Sequence, residues 1–303
     1  MARDPAVTAA VRFQPAASQD FKMSPAAELR PMTIADVHGC HRLSQSVSWP
    51  HRAEDWEFVI RLGRGLVFIE NGNAVASGLW WPHGERHATL GMIIVDPNRQ
   101  GSGIGKHLMT GLLDQLGERS QILHATAPGE PLYGKLGFVA AGSVRQYQGE
   151  AINVPAPTLS KRQRLRPTTP ADLPILLELD RQATGLPRQD TLAALLALGE
   201  GVVLEQDGEP VGFSILRPFG RGQVVGPAVA SSAEEARMLI QHWLHTEDGR
   251  FLRIDVPGGT GLDDWLVEHG LAFTDYATMM VRGDKPAAFG PARLFALINQ
   301  ALG

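Results

Sequence analysis

The sequence predicts an α/β (α+β) protein of 303 residues that uses one layered fold twice. Three observations carry this reading. A long internal repeat divides the chain, β-type runs alternate with helical runs inside each copy, and the composition suits two packed cores. Hydrophobic residues make up 44% and charged residues 20%, which places the chain among globular and not disordered proteins. Leu29 to Val37 reappears as Leu165 to Leu173 with six identities in nine, at an offset of 136. The same offset aligns 65–77 with 201–213 without a gap. Both stretches read as a β run, an Asn-Gly or Asp-Gly turn and a second β run. Later blocks match at a smaller offset: His124 faces Arg253, and Lys135 to Phe138 faces Glu268 to Leu271. A unit of this length is a duplicated domain, not a solenoid repeat of roughly 20–50 residues.

Taken in order, residues 1–26 show no sustained apolar period and no apolar run behind a basic start, so a flexible tail is expected and a secretory signal is not. The first domain is expected over 27–150. A helix starts at Thr33 to Ala35 and runs to about Val47, with Asp36 in the first turn, where a carboxylate suits the helix dipole; Asp172 repeats it. A hairpin, a strand, a glycine-marked turn, a helix, a strand, a short helix and a last strand complete the copy. Pro155, Pro157 and Ser160 place a linker over 151–164, in which Lys161 to Arg164 reads as a solvated basic cluster. The second domain is expected over 165–303 in the same order.

Charge and cysteine content exclude several functions. With 28 Lys+Arg against 32 Asp+Glu the net charge is −4, so the chain lacks the basic field of a nucleic-acid binder and no nucleic-acid partner is expected. Its longest apolar runs, such as Leu192 to Leu198, fall well short of the ~18 residues that span a bilayer, and no membrane partner is expected. Cys40 is the single cysteine, which excludes an internal disulfide framework and suits a reducing cytoplasm. His38, Cys40 and His41 share one short segment without a second ligand pair, so they read as a polar helix face and no metal is expected.

The segment that carries chemistry runs from Met92 to Leu116. A β run at Ile93 to Val95 meets a turn at Asp96 to Asn98, then Gly101, Gly103 and Gly105, then a helix with apolar Leu108, Met109, Leu112, Leu113 and Leu116. Glycines at a strand-to-helix junction let backbone amides converge on a phosphate, and the helix start adds positive potential. A Walker loop needs glycine at 100 and Ser or Thr at 107, where Gln100 and His107 stand. The G-x-G-x-G spacing also excludes a dinucleotide fingerprint. The pattern Gln100-x-x-Gly103-x-Gly105 behind Val95-Asp96-Pro97 resembles the acyl-CoA diphosphate loop of the GCN5-related N-acetyltransferases (GNAT). Leu132-Tyr133 followed by Gly137-Phe138 resembles the second hallmark of that family. The resemblance covers about residues 27–150.

The resemblance implies two tandem acyl-CoA N-acetyltransferase-like domains, each a mixed, mostly antiparallel twisted sheet flanked by helices. It implies that the strand at Met92 to Val95 splays from a strand near Leu123 to Ala127. Ile93, Ile94 and Val95 would meet the pantetheine arm of acetyl-CoA, and Gln100, Gly101, Ser102, Gly103, Ile104, Gly105 and Lys106 its diphosphate, with Thr126 and Tyr133 beside it. The implied reaction is direct attack of a primary amine on the thioester, without a metal. Tyr133 is the expected acid for the departing thiolate. The general base stays open among Glu85, His87, His51 and His124, because each histidine titrates near neutrality. Trp49, Trp80 and Trp81, together with Trp56, are expected around the acceptor, with core packing as the alternative for part of the set. In the second copy no glycine follows Gly226 before Leu244, Glu234 and Glu235 would repel a diphosphate, and Leu266 stands where Tyr133 does. That copy is expected to be a degenerate GNAT-like domain, serving as a cover, as a homodimer interface or as one wall of the acceptor pocket. A non-catalytic acyl-CoA-binding or interaction module is the alternative reading of the whole chain.

Overall fold

The computed structural model describes residues 27–303, and the tail expected over 1–26 lies outside the described residues. The first copy runs β1 (Ala27–Pro31), α1 (Val37–Ser46), α2 (Ala53–Leu62), β2 (Arg64–Glu70), β3 (Asn73–His83), β4 (His87–Val95), α3 (Ile104–Leu116), β5 (Ser120–Ala125), α4 (Glu130–Lys135) and β6 (Val139–Glu150). The second runs β7 (Gln163–Pro167), α5 (Leu173–Thr184), α6 (Gln189–Leu198), β8 (Glu200–Gln206), β9 (Glu209–Phe219), β10 (Gly222–Ala230), α7 (Ala233–Thr246), β11 (Phe251–Pro257), α8 (Asp263–Glu268) and β12 (Ala272–Arg282). A final strand, β13 (Arg293–Ala296), has no counterpart in the first copy.

Local chemistry explains why both copies start alike. Asn71-Gly72 and Asp207-Gly208 take positive φ (50° and 77°, 54° and 89°), the conformation that a two-residue hairpin turn demands of both central residues. Asp36 does more than face a helix dipole. Its carboxylate accepts the Thr33 backbone N–H at 2.8 Å and is clamped by Arg30 at 2.7 Å, and Asp172 does the same with Thr169 and Arg166.

The strands form one sheet in the order β1-β2-β3-β4-β5-β12-β6-β11-β10-β9-β8-β7, with β13 added on β10. This order is a strand exchange. β12 of the second copy lies between β5 and β6 of the first, and β6 of the first lies between β12 and β11 of the second. Only β4–β5 and β10–β11 pair in parallel, and the remaining pairs are antiparallel. One apolar core crosses the seam, joining Trp56, Trp81 and Ile94 of the first copy to Leu176, Phe213 and Val229 of the second.

The turns between β3 and β4, and between β9 and β10, are exchanged as well. The Gly220 N–H donates to Asp55 Oδ2 at 3.0 Å, and a side chain at Gly220 would meet Pro50, so the second copy's hairpin docks on the α1–α2 loop of the first. Reciprocally, a side chain at Gly84 would meet Pro187 in the α5–α6 loop. No helix among the described residues is long and apolar enough to cross a membrane. Cys40 is buried in the core, and no cluster of His, Cys, Asp or Glu among the described residues could hold a metal ion.

Candidate active site

The parallel pairing of β4 and β5 ends at Leu90 and Leu123, and beyond it the strands part. The parting coincides with a bulge. Leu79 pairs with Gly91 and Ser77 with Ile94, so Met92 and Ile93 together oppose one residue, and Met92 takes φ of 53°. The Ser77 hydroxyl holds the bulge by donating to the Met92 carbonyl at 2.9 Å. The cleft so opened has a cavity volume of about 480 Å³.

Gly101 and Gly103 lie outside the cleft's end with φ of 75° and 89°, and Gly103 caps α3. The first intrahelical bond runs from the His107 N–H to the Gly103 carbonyl, so the amides of Ile104, Gly105 and Lys106 have no acceptor within the helix. Nothing lies within 4 Å of where a side chain at Gly101 would stand. This backbone can cradle an anion.

The corresponding place in the second copy is filled by the chain itself. β10 and β11 pair only at Gln223–Leu252 and Val224–Arg253, and β13 then lies along β10 at Ala228 to Ala230. The Leu297 N–H donates to the Asp255 carbonyl on β11 at 2.8 Å, so residues 293–297 bridge the gap. A side chain at Gly226 would stand 1.8 Å from the Leu297 carbonyl oxygen. At the start of α7, the Glu235 N–H is taken by Ser232 Oγ at 3.2 Å and the Ser231 N–H by the Glu235 carboxylate at 2.9 Å. The amide of Glu235, the counterpart of Lys106 at the third helical position, is thus occupied here, and the Glu235 carboxylate stands at the helix start where an anion would sit.

A model described as the acetyltransferase (GNAT) family matches residues 34–138, and one described as an acetyltransferase (GNAT) domain matches 176–296. The chain belongs to the GNAT family, in tandem. It is an acyltransferase by that membership. It is 29% identical over 281 residues to a Bacillus subtilis (strain 168) protein described as the uncharacterized N-acetyltransferase YitH, covering 91% of this chain and 98% of that one. A Pyrococcus horikoshii structure provisionally classed as an acetyltransferase shares the fold at a TM-score of 0.75 and 19% identity, over 94% of this chain and 98% of that chain. A tandem GNAT protein from the clavulanic acid biosynthesis pathway shares it at a TM-score of 0.62 and 13% identity, over 86% and 99% of the two chains.

Within this tandem GNAT fold the residues expected at the site divide cleanly. Ile93, Thr126, Tyr133, His51 and Trp49 line the cleft. Gln100 to Lys106 form the loop beyond it, where the Gln100 side chain donates to the Val95 carbonyl at 3.1 Å and Ile104 turns its side chain into the core, leaving its amide for a ligand. The side chain of Ile94 also packs in the core, so only its backbone and that of Val95 border the gap.

Glu85 and His87 do not reach the cleft. They belong to the β3–β4 hairpin that docks on the second copy, and His87 pairs with Ser120 at the closed end of the β4–β5 contact. The repeat supplies the reason: their equivalents 136 residues on are Arg221 and Gln223, and of these Arg221 lines the open cleft. Trp80 and Trp81, expected around the acceptor, do not line the cleft either. Trp80 is 2% exposed under α3, where its indole N–H donates to Gln115 at 3.0 Å. Trp81 is 1% exposed and donates to the Val59 carbonyl at 3.0 Å. Alternation along β3 sends the two rings to opposite faces of the sheet, both away from the cleft.

Two histidines face the cleft. His124 Nδ1 lies 2.7 Å from the Gln300 carbonyl, which can only accept, so the proton sits on Nδ1 and Nε2 keeps a lone pair. Burial lowers its pKa, and the bond to Gln300 opposes that in part. His51 is pulled down to about 4, mainly by burial and then by the charge of Arg253. Its Nδ1 lies 3.0 Å from Ser44 Oγ, and its ring stands edge-on to Trp49 and Phe219. Burial also raises the Tyr133 hydroxyl above the usual phenol range, so it stays protonated.

The sequence offers the second copy as one possible wall of the acceptor pocket but does not name the residues of that wall. Phe219, Arg221, Arg253, Thr274 and Asp275 line the same cleft, with Gln146 and Gln148 of β6 between the halves. The C-terminal turn at Asn299 to Ala301 completes it, because the segment that fills the second gap continues to the first. No signal short of the strand exchange could have placed these residues beside Tyr133.

Proposed function

We propose that the open cleft of the first copy binds acetyl-CoA and transfers its acetyl group to a primary amine. The observation that carries this is the contrast between the copies: free amides, a parted β4–β5 pair and a buried tyrosine on one side, and a filled gap on the other. Ile93 to Val95 would hold the pantetheine arm, and the amides from Gly101 to Lys106 the diphosphate. Acetyl-CoA supplies an activated thioester carbonyl there.

The amine nitrogen forms a C–N bond to the acetyl carbon as the C–S bond breaks, giving an amide and CoA. His124 Nε2 takes the proton that the amine loses, because its tautomer is fixed by Gln300 and its lowered pKa keeps it neutral. Tyr133 donates to the departing sulfur. The desolvation that keeps its phenol protonated also raises the thiolate's demand for a proton. His51, held neutral, shapes the aromatic end of the pocket with Trp49. The strand exchange makes the second copy part of this site and not merely its cover.

The test is release of CoA thiol from acetyl-CoA across a panel of primary amines, with the acetylated amine identified by mass spectrometry. Stoichiometric amide and CoA are expected. Binding of CoA without transfer to any amine would instead support a binding module.

A further inference from the structure

We propose that the acceptor amine carries an anionic group, a carboxylate or a phosphate, which Arg221 and Arg253 take at the wall lent by the second copy. This deepens the transferase reading by naming the class of acceptor. Arg221 and Arg253 line that wall, and Arg217 is buried beside Arg253 without lining the cleft. Arg217 on β9 and Arg253 on β11 both pair with Val224 of β10, so the two side chains lie on one face of the sheet. Arg221 follows in the hairpin between β9 and β10. Their guanidinium carbons approach the rings of Phe219 (Arg217 at 4.9 Å, Arg253 at 5.2 Å) and Phe251 (Arg221 at 4.9 Å).

Their counter-charges do not balance them. Arg253 pairs with the buried Asp255 at 2.9 Å. Arg221 and Arg217 have no carboxylate partner among the described residues. Arg217 is 1% exposed, donates to the Ile298 carbonyl at 3.2 Å and leaves its Nε unpartnered. Asp55, in the first turn of α2, is already held by Arg52 and the Gly220 N–H. Asp275 on β12 lines the same cleft, where it can meet the ammonium form of an arriving amine. A guanidinium without a carboxylate partner, packed on an aromatic ring at the cleft, draws an anion, and its fork fits carboxylate and phosphate oxygens in pairs.

The repeat supplies an internal control. At the equivalent positions the first copy has Trp81 for Arg217, Glu85 for Arg221 and His124 for Arg253. The scaffold therefore does not need arginine at any of the three. All three arginines occur in the copy whose hairpin faces the open cleft. A cavity of about 480 Å³, shared with the acyl end of the thioester, suits a small amino acid or aminophosphate.

The experiment compares matched acceptors: 4-aminobutyrate against its carboxamide, and O-phosphoethanolamine against ethanolamine. In one pair at least, the anionic member should have a kcat/KM about tenfold or more above the neutral one, and the pair that responds distinguishes carboxylate from phosphate. Arg221→Met, an exposed change, should remove most of that preference by lowering kcat/KM for the anionic member about tenfold more than for the neutral one, and Arg221→Lys should restore part of it. Quenching of tryptophan fluorescence by glutarate and by inorganic phosphate gives a readout that needs no turnover, and it should weaken in Arg221→Met. Equal use of both members, or a preference that survives Arg221→Met and Arg253→Met, overturns the inference and leaves the transferase reading intact. If no amine is acetylated, loss of anion quenching in Arg221→Met upholds the anion site while the transferase reading falls, and unchanged quenching overturns the site.

Discussion

Tyr133→Phe isolates the role given to the buried hydroxyl. The ring is 8% exposed, stands 6.0 Å from Phe138 and would touch any side chain placed at Gly129, so its packing is dense. Its hydroxyl has no protein hydrogen-bond partner among the described residues. Removing the oxygen therefore breaks no internal bond and leaves the ring's contacts in place, and the stability change should stay within about 1 kcal/mol. The loss falls on the chemical step. A positioned proton donor contributes 10²-fold or more, so kcat should fall by about 10²-fold, which is ~2.7 kcal/mol of transition-state stabilisation. The Kd for CoA should move by less than about threefold, since the loop and the β4 edge are untouched. The assay is steady-state thiol release beside calorimetric CoA binding and a thermal melt. A variant with kcat within about threefold of the parent would remove Tyr133 from the mechanism. One that lost CoA binding in proportion to kcat would make it a packing residue.

His124→Gln tests the base. A base must be neutral to act, and burial lowers the His124 pKa, so the acidic limb of kcat should lie below the ordinary imidazole value of 6.5 and should vanish in this variant. A limb above 6.5, or one unchanged by the substitution, contradicts the assignment. Gly226→Ala places a methyl against the Leu297 carbonyl, where 1.8 Å is available, so β13 must leave its seat. A stability loss of about 3 kcal/mol or more is expected, with reduced activity at the distant cleft because Asn299 to Ala301 move too; a melt matching the parent refutes the packing argument. Residues 27–164 alone lack β12, so β5 and β6 lose their shared neighbour, and this fragment should aggregate or dimerise while co-expression with 165–303 restores activity. A folded, active monomeric fragment would refute the exchange.

Much of this was legible in the chain because it is written locally. The Asn71-Gly72 and Asp207-Gly208 turns, the Gly103 cap and the order of elements depend on residues a few positions apart. The repeat then carried the reading from one copy to the other. What the sequence hid is non-local. Glu85 and His87 occupy the hairpin position that faces an acceptor, but the exchange of hairpins turns them to the filled copy and brings Arg221 to the open one. Trp80 and Trp81 look like an aromatic wall until the alternation of β3 sends one ring beneath α3 and the other against α2. The C-terminal segment carries no motif at all. Its role follows from shape: β13 fits the gap that the loss of glycines after Gly226 left unused by a ligand.

On the proposed function, one copy keeps a cleft for acetyl-CoA and the other has closed it with its own chain. Calorimetric titration of the whole protein with CoA measures this directly. One site per chain is expected, abolished by Gly103→Glu, which puts a carboxylate and a strained φ at the α3 cap, in a protein whose melt shows it folded. Two sites per chain, or a single site indifferent to Gly103→Glu, would contradict it.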